Sequence, residues 1–331
     1  MRISLIFVGY SKKNTEKRPL LFVKGGKNMT STQRIKNLSV PTFKVDVVLD
    51  TDAFNEIDDQ YAISYLLRNK QKLNTVALYA APFHNALSKN AGDGMEKSYE
   101  EIQRLLGLLR EEIPVYRGSL AYLPDEKTPV DSPAARDLAA RAEQYSPENP
   151  LYVVAIGAIT NVASAVLLNP KVAENTVIVW LGGHAHHYAN TKEFNMMQDY
   201  AAARVVMGSG VPFVQLPCEG VVSEFRISKP ELLFWLKDKN PIANYLAENT
   251  IKAADSYAMG RPWTRVIWDV TAVAWLLNDG NRFMASRQIQ TRLPSYGGMY
   301  EEKTIAYPME YVFYVRRDAL MQDLIEKLSE G

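Results

Sequence analysis

Four aspartates crowd one short stretch of this chain, in Val47-Val48-Leu49-Asp50-Thr51-Asp52-Ala53-Phe54-Asn55-Glu56-Ile57-Asp58-Asp59. An apolar run leads into Asp50 and Asp52, and Asp58-Asp59 open the next apolar segment. Carboxylates packed this closely repel one another unless a cation neutralises them. An all-oxygen donor set suits a hard ion, Ca²⁺ or Mg²⁺. The first chemistry to consider is therefore that of a divalent cation held at the end of a buried strand.

Three metal motifs compete for this stretch. An EF-hand loop counted from Asp50 needs an oxygen ligand at its fifth position and glycine at its sixth. Phe54 and Asn55 stand there, so the loop fails. A D-x-D phosphatase of the haloacid dehalogenase type also places two aspartates after its first strand. That family usually has Thr or Val two positions after the second Asp, where this chain has Phe54.

The third pattern is more specific. The stretch resembles the opening of the nucleoside hydrolases, a strand followed by D-x-D, a turn and D-D before a helix. Three later segments continue the likeness in the family's order. Ala155-Ile156-Gly157-Ala158-Ile159-Thr160-Asn161 is similar to the G-P-L-T-N segment. Leu181-Gly182-Gly183, Asn190 and Glu193-Phe194-Asn195 are similar to the G-G, G-N and E-F-N run. Trp268-Asp269-Val270-Thr271-Ala272-Val273-Ala274 is similar to the H-D-x-x-A-V-A helix start. Two departures stand out: Ala53–Ile57 replaces a shorter Pro-Gly turn, and Trp268 stands where some members carry histidine.

The resemblance implies Ca²⁺-dependent hydrolysis of the N-glycosidic bond of ribonucleosides, or of a related N-ribosyl compound, in purine and pyrimidine salvage. It implies Asp52, Asp59, Asp269 and the Thr160 carbonyl as metal ligands. Asp52 would also remove a proton from the attacking water, opposite an oxocarbenium-like sugar. Asp58, Asn85, Asn190, Glu193 and Asn195 would bind ribose, with Asp50 supporting the cluster from behind. With Trp268 in the histidine's place, Trp268 is expected to face the base. The leaving-group proton is expected from His184 or His187, in the histidine-rich loop Gly183–Tyr188, or from Tyr257. A binding protein that kept the metal cage with weak catalysis is the rival reading.

The elements that must position these residues alternate in type. Strands are expected at Val45–Leu49, Thr75–Ala80, Val115–Tyr116, Leu151–Ile156, Val177–Leu181 and Phe213–Leu216. Helices are expected at Asp58–Arg68, Met95–Leu109, Ala134–Gln144, Asn161–Leu168, Tyr200–Met207, Pro230–Lys237, Ile242–Met259 and Asp269–Leu277. This is the pattern of an α/β domain with an open, mostly parallel, Rossmann-like sheet flanked by helices. Such sheets bind ligands beyond the carboxyl ends of their strands. Ile305–Tyr307 and Tyr311–Val315 read as a hairpin turning at Pro308-Met309-Glu310, closed by a helix at Asp318–Leu328.

Composition narrows the partners. The chain has 331 residues, 47% hydrophobic, and a net charge of +1 with acids and bases interspersed. That supports a sizeable core and excludes the basic footprint of a nucleic-acid binder. No apolar run is long enough to span a membrane. The single cysteine, Cys218, cannot form an internal disulfide, and a cytoplasmic setting is expected. Residues 1–40 read as a poorly ordered extension or an overextended start, with Met29 as an alternative initiator, and 41–331 as one domain. The partner expected is a small nucleoside, and the resemblance implies a homodimer or homotetramer.

Overall fold

A computed structural model describes residues 29–330. Ten strands occur in chain order: β1 Val45–Thr51, β2 Leu73–Ala80, β3 Val115–Arg117, β4 Leu151–Ala155, β5 Thr176–Leu181, β6 Phe213–Leu216, β7 Arg226–Ser228, β8 Thr264–Val266, β9 Met284–Pro294 and β10 Tyr300–Val315. The helices are α1 Ser31–Asn37, α2 Asp58–Arg68, α3 Ala91–Leu109, α4 Pro133–Arg141, α5 Thr160–Leu168, α6 Lys171–Asn175, α7 Phe194–Gln198, α8 Tyr200–Gly208, α9 Lys229–Glu231, α10 Pro241–Ala258, α11 Val270–Trp275 and α12 Arg317–Ser329.

Eight strands form one sheet in the order β3-β2-β1-β4-β5-β6-β10-β9. All neighbours run parallel except β9, which is antiparallel to β10. β1, β4, β5 and β6 are almost wholly buried, as strands covered on both faces must be. Two apolar clusters lie on opposite faces of the sheet. One joins α2, α3, α10, α11 and α12, and the other α4, α5 and α8. The expected α/β architecture is the observed one.

Three expectations need correction. The expected hairpin at Pro308 is one continuous strand, β10, and its partner β9 went unread. Pro308 is tolerated because the register shifts between Thr304 and Pro308, so the ladder is already irregular there. The true reversal is Ser295–Met299, where Gly298 has φ +76 and its N–H donates to the Ser295 carbonyl at 3.0 Å. The helix expected at Pro230–Lys237 is the short α9, with a capping box from Ser228 and Glu231, followed by a π-helical turn over Leu232–Leu236. Within the expected disordered extension, residues 31–37 form α1. Asn37 ties it down by donating to the Pro147 carbonyl at 2.8 Å, and Leu38 is buried. Residues 1–28, the rest of that expectation, lie outside the described residues.

The carboxyl ends of β1 and β2 and the turn after β3 are tied by one side chain. Asn161, in the first turn of α5, donates from Nδ2 to Asp50 Oδ1 at 2.8 Å and to the Ala80 carbonyl at 3.1 Å. Its Oδ1 accepts from the Ser119 N–H and hydroxyl, both at 2.8 Å. All of these groups are buried, so removing the amide orphans several at once. Asn161→Ala should cost about 3 kcal/mol in urea unfolding. A loss under about 1 kcal/mol would show that the amide is not what fixes the strand ends.

Candidate active site

A 340 Å³ cavity opens beyond the carboxyl ends of β1, β4, β5 and β6. Its acidic wall comes from the end of β1, the loop after it and the start of α2: Asp52, Asn55, Glu56, Asp58 and Asp59. Asp269, immediately before α11, faces them. The carboxylates of Asp58, Asp59 and Asp269 each offer an oxygen within 4.8 Å of the others, and all three residues are buried. Asp52 lines the same cavity and is 1% exposed.

Local sequence explains the placement. Asp50 and Asp52 would share a face in a continuing strand, but β1 ends at Thr51, so Asp52 lies in the turn beyond it. Asp50 turns to Asn161 behind the cavity, and Asp52 turns into it. Gly157 leaves room: a Cβ there would lie 2.9 Å from Asp52 Oδ1 and 3.0 Å from Ala81 Cβ. Asp58 and Asp59 occupy the first turn of α2, where the helix dipole favours negative charge. Thr51 donates its hydroxyl to Asp59 Oδ1 at 2.5 Å.

The electrostatics are those of an uncompensated cluster. Burial is the main cause that pushes every acid here upward, Asp50 and Asp59 to about 7 and Asp58 to about 6. Asp52 and Asp269 are also raised well above the ordinary carboxylate range, by burial first and then by neighbouring carboxylates. Glu56 rises to about 7 through burial and the charge of Asp58. Two like charges about 4 Å apart cost about 4 kcal/mol at an effective dielectric near 20. Three such pairs would rival the whole stability of a typical domain, about 5–15 kcal/mol. Arg265 does not fill the gap: its guanidinium is held by Glu56 at 2.5 Å and stays 4.0 Å from Asp58. Asp52 Oδ2 and Asp58 Oδ1 are buried without a hydrogen-bond partner. Unpaired, buried, hard oxygens around one point are what a divalent cation requires, so the residues fit one.

The opposite wall carries the expected sugar-binding groups. Glu193 caps α7: its carboxylate accepts from the N–H groups of Gly183 at 2.8 Å, Asn195 at 2.8 Å and Met196 at 3.0 Å. Asn195 donates from Nδ2 to the carbonyls of Ile156 and Leu181, each at 3.1 Å. Asn85 lines the cavity and donates to Asn55 Oδ1 at 2.7 Å. His184 lines it too, and its Nδ1 is buried without a partner. Trp268 is half-buried, packing one side on the core while lining the cavity.

Four expected residues are elsewhere. Thr160 opens α5 with its hydroxyl bonded to Asp199 at 2.7 Å, and it does not line the cavity. Ile156, at the end of β4, does. Asn190 is exposed and turns its side-chain oxygen to the Lys192 N–H at 3.0 Å. His187 lines a different cavity, and Tyr257 is 55% exposed on the last turn of α10. Sequence reasoning passed over Ile156, Glu56, Lys192, Cys218 and Glu219, all of which line the site. Glu56 had a signal, as a fifth acid in the same stretch. Ile156 had none in its side chain, because only its carbonyl is polar.

Known proteins share this fold. The chain is 26% identical over 264 residues to the "Non-specific ribonucleoside hydrolase RihC" of Salmonella paratyphi B, covering 71% of this chain and 79% of that protein. Among solved structures, the fold matches a "Plant nucleoside hydrolase - PpNRh1 enzyme" with TM-score 0.70 at 19% identity, covering 87% of this chain and 100% of that one. It also matches the "type III effector protein XopQ complexed with adenosine diphosphate ribose" with TM-score 0.66 at 16% identity, covering 90% and 98%. A family model described as inosine-uridine preferring nucleoside hydrolase matches residues 47–308, which sets the phosphatase reading aside. With its buried aspartate cluster at the head of that matched region, the chain belongs to the inosine-uridine preferring nucleoside hydrolase family, metal-dependent hydrolases of the N-glycosidic bond of ribonucleosides.

Proposed function

We propose that this chain hydrolyses ribonucleosides to free base and ribose with Ca²⁺ as its cofactor. The observation that carries the reading is the buried group of Asp58, Asp59 and Asp269, whose carboxylate oxygens lie within 4.8 Å of one another, together with the unpartnered Oδ1 of Asp58 and Oδ2 of Asp52 in the same cavity. Asp52, Asp59 and Asp269 would hold the ion. The Ile156 carbonyl replaces that of Thr160 as the backbone ligand, because Ile156 lines the cavity and Thr160 does not. Flexible coordination by many oxygens favours Ca²⁺ over Mg²⁺ in a cage of this kind. When bound, the ion would neutralise the acidic wall and acidify a water beside it.

Asp52 removes the proton from the attacking water. Its carboxylate is the one that the turn after β1 aims into the cavity with Oδ2 unpartnered. Asp58, Asn85, Glu193 and Asn195 line the space a ribose would fill, and they offer the paired acceptors and donors that vicinal hydroxyls need. Glu193 and Asn195 are held by backbone bonds, so they meet the sugar already oriented. Trp268 presents a flat apolar face, suited to stacking on a base. His184 is the leaving-group acid: it lines the cavity, and its Nδ1 has no partner in the protein. His187 and Tyr257 lie off the cavity and drop out of this role.

Asp52→Asn should keep the fold and lower ribose release from inosine or uridine by about 10²–10⁴-fold, the scale of a general base. Near-wild-type turnover would remove Asp52 from the mechanism. His184→Ala separates acid catalysis from binding. It should cost about 10²-fold with inosine and little with p-nitrophenyl riboside, whose leaving group needs no proton. Equal losses on both substrates would show that His184 positions the loop rather than protonating the base.

A further inference from the structure

A second 340 Å³ cavity lies behind the wall of the first. Its floor is the β9–β10 hairpin, and its roof is the histidine loop together with the turn after β6. Arg287 faces Tyr311 across the antiparallel ladder, so the two side chains share one face of the sheet. The Arg287 guanidinium lies 5.5 Å from the Phe313 ring centre. His186 fills the inner end, its ring centre 4.3 Å from that of Tyr300 and 4.8 Å from that of Tyr311. His187 and Val221 complete the roof.

The charge in this cavity is one-sided. Among the described residues, no acidic one lines it. Arg282 lies 3.7 Å from Asp323, and Arg292 donates to the Glu301 carbonyl at 2.8 Å. Arg287 joins none of the ion pairs or hydrogen bonds found among the described residues, and it is exposed to the cavity mouth. Burial lowers His186 to about 4, so that imidazole is neutral at physiological pH and Arg287 carries the fixed charge. The walls are aromatic: Tyr311 is 5% exposed and Phe313 44%.

The two cavities are distinct. The Cys218 N–H donates to the Gly183 carbonyl at 2.8 Å, and the Ala185 N–H to the Glu219 carbonyl at 3.0 Å. These bonds zip the histidine loop to the turn after β6. The resulting partition shows His184, Cys218 and Glu219 to the catalytic side and His186, His187 and Val221 to the other.

We infer that this second cavity binds a compact anion carried on a flat ring, a phosphate ester or a carboxylate. Arg287 pairs with the anion, and Tyr311 and Phe313 hold the ring. A guanidinium without a carboxylate partner matches the planar, two-oxygen edge of either head group. Aromatic walls supply the stacking surface, and the volume suits a ligand of one ring.

Calorimetry on the full chain tests this with phenyl phosphate, which has no sugar for the catalytic cavity to recognise. One molecule should bind per chain, about ten-fold or more tightly than inorganic phosphate or phenol alone. Benzoate in the same titration ranks carboxylate against phosphate. Arg287→Glu should weaken binding at least about ten-fold, with Arg287→Lys between it and wild type. Phe313→Ala, also on the exposed strand, should weaken it about five-fold and gives the answer should Arg287→Glu not fold. Asp52→Asn should bind as wild type does, which keeps this inference separate from the proposed hydrolysis. Equal binding by wild type, Arg287→Glu and Phe313→Ala would overturn it, and so would loss of binding in Asp52→Asn.

Discussion

Everything at this site follows from the cost of burying several carboxylates together. Asp52, Asp58, Asp59 and Asp269 are each no more than 3% exposed, and their upward shifts record how poorly the protein alone supports their charges. A fold does not carry such a cluster for stability. Apolar residues of similar size would pack the same strand end with less strain, as replacements of buried ionic groups often show. In a metal-dependent family, such a cluster fits a divalent cation.

The remainder of the architecture makes the cluster possible. Parallel strands bring their carboxyl ends to one edge, where β1 carries Asp50 and the turn after it carries Asp52. Asn161 holds Asp50 Oδ1 behind the cavity, while Asp52 faces into it. Gly157 holds back the neighbouring backbone so that the Asp52 carboxylate fits. On the far wall three backbone N–H groups fix Glu193, and two carbonyls fix Asn195. These second-layer bonds give the site its rigidity, and they involve the same segments that carry the family resemblance.

Much of this was legible before any coordinates. Periodicity marked Asp58–Arg68 with its observed bounds, and the buried runs located β1, β4, β5 and β6. Those signals are strong because a strand covered on both faces must be apolar throughout. What failed had weaker physical signatures. Pro308 looks like a turn residue, yet an irregular ladder accepts it, while the reversal at Ser295–Met299 lay in a glycine pair that went unread. The resemblance implies the Thr160 carbonyl as backbone ligand, yet Thr160 does not line the cavity. A carbonyl donor leaves no trace in residue type, and Ile156 is the residue of that segment that lines the cavity. Asn190 and His187 have the right chemistry and the wrong direction, since a loop's side chains follow contacts the local sequence does not state. His187 turns to the second cavity, and Asn190 turns back on its own loop.

The central claim, that the buried acids exist to hold a cation, is tested most directly by thermal melts across pH with and without calcium. The folded-state values of these carboxyls lie above their unfolded values near 4. Their contribution to stability is therefore complete below about pH 4 and is lost as pH rises through about 6 to 7, where Asp58 and Asp59 ionise. In chelator, Tm should fall between pH 5 and pH 8. Saturating Ca²⁺ should raise Tm much more at pH 8 than at pH 5, because it binds the ionised cluster. A Tm at pH 8 that calcium leaves unchanged, or a larger calcium effect at pH 5, would contradict the account.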